Sequence, residues 1–253
     1  VSAHGAGSGD PHRPTDGSVA TTERAAELTA ALGRARERLS DACVAAGRAR
    51  DDVDLVVVTK FFPASDVRVL AGLGVTDVGE NRHQEAEAKA AELADLDLSW
   101  HFIGGLQSNK ASTVAAYSAV VESVDRPKLV GPLDRGAERR GRPLDVLVQV
   151  SLDPPGAEGR AGVGPDALLA LADRVAQAEH LRLRGLMAVA PPAEDPAVAF
   201  ERLARLHERL LTQHPAATVL SAGMSGDLEQ AVSAGATHVR LGSAVLGSRP
   251  TVQ

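Results

Sequence analysis

Short β-branched runs separated by stretches of helical periodicity constrain this chain more than any other feature. A strand that is apolar along its whole length is stable only in a parallel sheet whose faces are both covered. Leu55-Val56-Val57-Val58 is the first such run, and further strands are predicted over or near residues 75–78, 99–103, 120–123, 146–150, 183–189, 219–221 and 239–241. Helical spacing is read between them over 64–73, 84–94, a segment after Ser108, 127–140, 166–178, 196–213 and 228–234. Eight strands alternating with helices predict an α/β protein built as a single (β/α)8 TIM barrel. The rival is an open, doubly wound sheet, which would carry a Gly-rich turn after its first strand. Residues 59–63 contain no glycine, and Gly162-Val163-Gly164 lacks the further glycine spacing of a dinucleotide site and reads as a turn.

A leading helix is predicted over 21–48, with Ala26, Leu28, Leu32, Ala35, Leu39, Ala42 and Val44 at helical spacing and Gly47 placed to stop it. Residues 1–20 are rich in Gly, Ser, His, Pro and Asp and are expected to be a disordered tail, leaving 21–250 for the barrel. His4 and His12 in that tail are too isolated to hold a metal. With 253 residues and 44% hydrophobic content, the chain can bury the core of one large domain. Its net charge of −6 supplies no field favouring nucleic acid or an anionic membrane, and Arg135, Arg139, Arg140 and Arg142 read as a solvated helix end. Cys43 is the only cysteine, so an internal disulfide and a multi-cysteine metal site are excluded. No membrane-length apolar run and no secretion-type leader are read, so a cytoplasmic protein is expected.

In a TIM barrel the functional face is the C-terminal end of the strands. There the sequence puts Lys60 after strand one, Gly79-Glu80-Asn81 after strand two, and His101 and the 104–110 segment after strand three. Strand seven delivers Ser221 and Gly223-Met224-Ser225, and strand eight delivers Arg240-Leu241-Gly242-Ser243. A desolvated strand-end lysine presents a neutral amine more readily and can attack a carbonyl, so an aldehyde cofactor is its natural partner; the alternative is a lysine that snorkels out of the barrel mouth. Barrel phosphate sites form from the loops after strands seven and eight. Both loops here offer small residues and a hydroxyl, Ser225 in one and Gly242-Ser243 in the other, although each also reads as an ordinary turn with Ser225 or Asp227 as N-cap. Arg240, if it points into the barrel, is suited to donate to a pyridine nitrogen and keep it unprotonated. Trp100 and His101 alternate, so one faces the lumen and the other the helices; no catalytic role is assigned to His101.

Taken together, Val58-Thr59-Lys60, Gly79-Glu80-Asn81, Trp100-His101-Phe102-Ile103-Gly104, Leu106-Gln107-Ser108-Asn109-Lys110, Ser123-Val124-Asp125-Arg126, Arg184-Gly185-Leu186-Met187, Leu220-Ser221-Ala222-Gly223-Met224-Ser225 and Val239-Arg240-Leu241-Gly242 resemble the pyridoxal phosphate homeostasis protein family. The resemblance runs from about Leu55 to Arg249, and that family's barrel is similar to the N-terminal barrel of alanine racemase. It implies pyridoxal 5'-phosphate (PLP) held as a Schiff base on Lys60. It also implies phosphate contacts at Ser225, Gly242 and Ser243, Arg240 near the pyridine nitrogen, and Asn81 and Met187 lining the pocket. The chain departs from the family's common pattern at Gly105, Ser151, Arg160 and Ala222.

The function the resemblance implies is a PLP carrier in vitamin B6 balance, with PLP-dependent apo-enzymes as candidate recipients and a monomeric state expected. No metal, nucleic-acid or membrane partner is expected. The alternative is a PLP-dependent amino-acid racemase, which needs a base on each face of the substrate Cα. Lys60 can serve one face. Tyr117 is the only tyrosine and follows the third-strand helix, where a packing role is expected, and residues 243–253 are expected to leave no room for a second domain.

Overall fold

A computed structural model describes residues 20–153 and 161–248. The expected tail, apart from Ala20, and Arg160 lie outside the described residues. Eight parallel strands, β1 (Asp54–Val58), β2 (Asp77–Glu80), β3 (Ser99–Phe102), β4 (Val120–Val124), β5 (Leu144–Gln149), β6 (Leu181–Met187), β7 (Val219–Ser221) and β8 (His238–Leu241), close into a barrel. Closure is made by β8 pairing back on β1, with Val56 opposite Arg240 and Val57 opposite Leu241. The helices are α1 (Thr22–Ala45), α2 (Ala64–Gly72), α3 (His83–Glu92), α4 (Ala111–Tyr117), α5 (Val130–Arg140), α6 (Leu168–Ala176), α7 (Pro196–Gln213), α8 (Leu228–Ser233) and α9 (Ser243–Leu246).

Helix α1 begins where the Thr21 hydroxyl accepts the Arg24 N–H at 3.1 Å and ends before Gly47, whose φ of 71° stops the helix. Its buried stripe of Leu28, Leu32, Ala35, Leu39, Ala42 and Cys43 repeats every three to four residues and packs with Val67 and Leu70 of α2, Val232 of α8 and Leu246 of α9. Each fully buried leucine there contributes about 1.5–3 kcal/mol of transfer free energy, which is why the leading helix is part of the fold and not an appendage.

Some boundaries differ from the sequence expectation for local reasons. Strand β2 starts two residues late because Gly74, at φ 80°, and the Val75 N–H bond to Leu70 O at 3.0 Å keep Val75 in the turn that ends α2. Residues Pro127–Leu129 form a separate 3₁₀ turn before α5. The glycine-flanked turn at 162–164 has more order than expected: Val163 bridges Val150 in parallel, donating to Gln149 O at 2.8 Å. In β6 the register slips between Val146 and Leu147 of its neighbour, and Gly185 sits at the slip with φ 151°. A Cβ there would lie 1.8 Å from Val219 O, so no side chain fits.

Apolar side chains fill the layer between barrel and helices, whereas the lumen mixes apolar groups such as Val56 with polar ones. Trp100 packs outward among the helices and His101 points inward, which resolves the alternation left open on strand three. Buried His101, Glu122, Ser221 and Arg240 are polar groups inside the barrel, whereas Thr59 and Glu80, on the same strand faces as Val57 and Val78, turn outward to Lys89 of α3.

Candidate functional site

Lys60 stands two residues past the end of β1 and is half-buried, with Nζ 5.9 Å from the centre of the Phe61 ring. Beside it on the same mouth, after the neighbouring strands β8 and β7, lie the two predicted anion loops. The β7–α8 loop is shaped by the Asp227 carboxylate accepting the Met224 N–H at 2.6 Å, and α1 braces it from outside, Arg38 Nη1 donating to Ser225 O at 2.8 Å. The β8–α9 loop meets it where the Ser243 hydroxyl donates to that of Ser225 at 3.3 Å. Gly242, Ser243 and Ala244 precede the first intrahelical bonds of α9, so their N–H groups face outward. Gly242 is required by proximity: a Cβ would come within 3.3 Å of Val58 O.

These parts enclose a cleft of about 340 Å³ whose walls include Lys60, Ser225, Arg240, Gly242 and Ser243. Val58, Phe61, Phe62, Ile103 and Met224 supply its apolar surface. Two of the few aromatic rings in the chain therefore stand at this site. Among the described lining residues there are two cations and no carboxylate, a composition suited to an anionic ligand with a flat apolar body. A larger hollow of about 560 Å³ abuts it, sharing Met224 and Gly226. Asp153, Glu194 and Asp227 line that hollow without any lysine or arginine among the described residues, so it repels a phosphate and the smaller cleft is the better candidate.

Arg240 does point into the barrel. It is 4% exposed, and its guanidinium donates to Ser221 Oγ at 2.6 Å and to Ala188 O at 2.8 Å. Beneath it lies a chain of charges: Ser221 donates to Glu122 Oε2 at 2.6 Å, Glu122 Oε1 lies 2.7 Å from His101 Nδ1, and His101 Nε2 lies 3.1 Å from Asp77. The Ser221–Glu122 bond joins β7 to β4 across the lumen. Burial opposes ionisation of both Glu122 and His101, but their mutual contact outweighs it, aided by Arg240 on one side and Asp77 on the other. Glu122 is held down at about 2 and His101 up at about 9. Burial pulls the Arg240 guanidinium down against the opposing charges of Glu122 and Asp227.

Two residues that the resemblance assigns to the pocket are not among the described lining residues of this cleft. Asn81 lines a neighbouring cleft with Arg82, His83, Gln107 and Lys110. Met187 is 2% exposed at the end of β6, opposite Ser221 in the sheet register. Conversely, sequence reasoning passed over Glu122, although a carboxylate inside the run Val120-Val121-Glu122-Ser123-Val124 was a readable signal. It also passed over Lys89 and Glu85 on α3, which look like any solvated helix face until the fold turns them under the Lys60 turn.

The family described as alanine racemase, N-terminal domain, matches residues 42–250. The pyridoxal phosphate homeostasis protein of Mycobacterium tuberculosis is 45% identical over 244 residues, covering 90% of this chain and 95% of that protein. The protein of the same name from Pseudomonas aeruginosa is 44% identical over 218 residues, covering 86% and 94%. Among solved structures, PipY of Synechococcus elongatus with PLP bound superposes with a TM-score of 0.76 at 36% identity, covering 87% of this chain and all of that one.

Proposed function

This chain belongs to the pyridoxal phosphate homeostasis protein family, and from that premise we propose that it binds PLP in the cleft beside Lys60 and serves PLP homeostasis as a carrier. The observation that carries the reading is the convergence of Lys60, Arg240 and the two serine-bearing loops on one cleft of about 340 Å³. The ligand chemistry fits the donor set. Ser225, Ser243 and the N–H groups at the start of α9 take the phosphate, and Phe61, Phe62 and Ile103 flank the ring. Arg240, fixed by Ser221 and Ala188, donates to the ring nitrogen and keeps its own proton, so the nitrogen stays unprotonated. When bound, PLP supplies an aldehyde that reacts reversibly with amines. Lys60 is the amine that holds it as a Schiff base, and reversibility allows release to acceptor amines such as the lysines of apo-enzymes.

The racemase reading is disfavoured by what the cleft contains. Among its described lining residues the titratable groups are Lys60 and Arg240, so no second acid or base faces Lys60 across it. Tyr117 packs against His83, ring centres 6.0 Å apart, and burial pushes its phenol further up.

The test is an absorbance spectrum with PLP for the wild type and Lys60→Ala, followed by borohydride reduction and peptide mapping. An imine band lost in the variant, with the reduced adduct mapped to Lys60, is the expected result. No band and no adduct in the wild type would remove PLP from this site.

A further inference from the structure

The turn that carries Lys60 is held from beneath by a buried cation that does not line the cleft. Lys89 is 6% exposed on α3, and its ammonium spends its three N–H donors on Thr59 O at 2.8 Å, Glu80 Oε1 at 2.7 Å and Glu85 Oε1 at 2.7 Å. The same Glu85 oxygen accepts the Phe61 N–H at 2.5 Å, and the same Glu80 oxygen accepts the Thr59 hydroxyl at 2.6 Å. The carbonyl just before Lys60 and the N–H just after it are thus both tied to one ammonium, the first directly and the second through one carboxylate.

What this clamp holds is a strained backbone. Phe61 has φ 71°, the only non-glycine residue at positive φ among the described residues. Such a conformation persists only where surrounding groups over-determine it, and here the Glu85–Lys89 pair does so. The left-handed residue turns the chain back immediately after Lys60, and a Phe62 N–H to Thr59 O bond of 3.1 Å closes the turn. Arg82, whose guanidinium carbon lies 5.0 Å from the Phe61 ring centre, supports the ring.

We propose that Lys89, acting with Glu85, is a positioning residue that fixes the Lys60 turn so that the Lys60 amine meets the aldehyde of PLP in a reactive orientation. This rests on the reading that Lys60 takes PLP. In that step the Lys60 nitrogen forms a double bond to the aldehyde carbon, and the aldehyde oxygen leaves as water with two protons drawn from the ammonium, the third remaining on nitrogen. Neither Lys89 nor Glu85 lines the cleft, so they govern how Lys60 is presented and not whether the phosphate loops bind. A purely structural cation would instead support phosphate binding and imine formation alike.

The experiment measures imine formation by absorbance after mixing with PLP, beside binding of pyridoxine 5'-phosphate, which has the phosphate and ring but no aldehyde. Lys89→Met keeps the aliphatic stem, and Glu85→Ala removes the acceptor of the Phe61 N–H at a more exposed position. Glu85→Gln keeps an oxygen acceptor. Both disruptive variants are expected to slow imine formation about tenfold or more while pyridoxine phosphate affinity stays within about twofold, and Glu85→Gln is expected to restore the wild-type rate. If Lys89→Met does not fold, Glu85→Ala decides. Imine formation at the wild-type rate in folded Glu85→Ala overturns the inference, and so does a parallel loss of pyridoxine phosphate binding. A wild-type protein that forms no imine at Lys60 overturns the prior reading instead.

Discussion

At the scale of single residues, the lumen holds one carboxylate on which two cations depend. Glu122 is fully buried and lies between His101 at 2.7 Å and Arg240 at 3.8 Å. Glu122→Gln leaves Arg240 facing a neutral amide and His101 with Asp77 as its remaining carboxylate, and the expected loss is about 3–5 kcal/mol in urea unfolding, the range found when one partner of a buried pair is removed. A loss below about 1 kcal/mol would mean that water already screens the pair. The same contacts impose a pH dependence. His101 is raised in the fold to about 9, so the stability it adds is full below its ordinary value of 6.5 and disappears as pH rises through about 9. Glu122 is depressed to about 2, so its share is full above its ordinary 4.5 and disappears as pH falls through about 2. The urea midpoint of the wild type is expected to drop between pH 7 and pH 10, with a smaller drop in His101→Gln; equal drops would place the titration on another group.

At the scale of elements, the leading helix does more than cover apolar surface. From α1, Arg38 forms a two-point contact with Glu229 of α8, 2.7 Å at each nitrogen, while reaching Ser225 O. About four turns upstream, Arg24 bonds Asp66 at 2.8 Å and Leu246 O at 3.0 Å, the last residue of α9. One helix therefore braces the Ser225 loop directly and the far end of the short helix that follows Gly242. Because Arg38 is partly solvated, its removal is worth about 1 kcal/mol, which corresponds to about a fivefold rise in the dissociation constant for PLP. Arg38→Ala assayed by PLP titration checks this, and Arg34→Ala, on the same helix without those bonds, serves as the reference. An unchanged affinity in Arg38→Ala would detach α1 from the site.

At the scale of the whole molecule, the barrel sets the cleft proposed for PLP at an exposed rim. Ser243, Met224, Gly247 and Ser248 are exposed around the cleft, and Lys60 is half-buried at its edge. Among the described residues no helix is long and apolar enough to cross a membrane. An exposed rim and the reversible covalent link proposed at Lys60 would suit handing PLP to another protein's lysine. PLP is therefore expected to pass from the loaded protein to a PLP-dependent apo-enzyme faster than simple dilution releases it. The comparison is the rate at which apo-enzyme activity returns against the rate at which imine absorbance decays into a non-protein scavenger; equal rates would leave a reservoir without directed transfer.

Much of this was legible in the one-dimensional pattern. Apolar runs such as Leu55-Val56-Val57-Val58 and the helical stripe through Leu28, Leu32 and Leu39 are local signals, and each is enough to specify a strand or a helix without knowledge of its neighbours. Once eight such strands close a barrel, the ends of the strands face one mouth, so the convergence of Lys60, Ser225, Arg240, Gly242 and Ser243 followed from their places in the sequence. The short helix after Gly242 was missed because four residues carry too little periodicity. The partners of the key residues were beyond reach for a different reason. Alternation along a strand says which side chains face the lumen but not at what height, and strand stagger sets the height. Only the closed barrel decides that Ser221 of β7 meets Glu122 of β4, and only the way α3 packs beneath β1 brings Lys89 under the turn that carries Lys60.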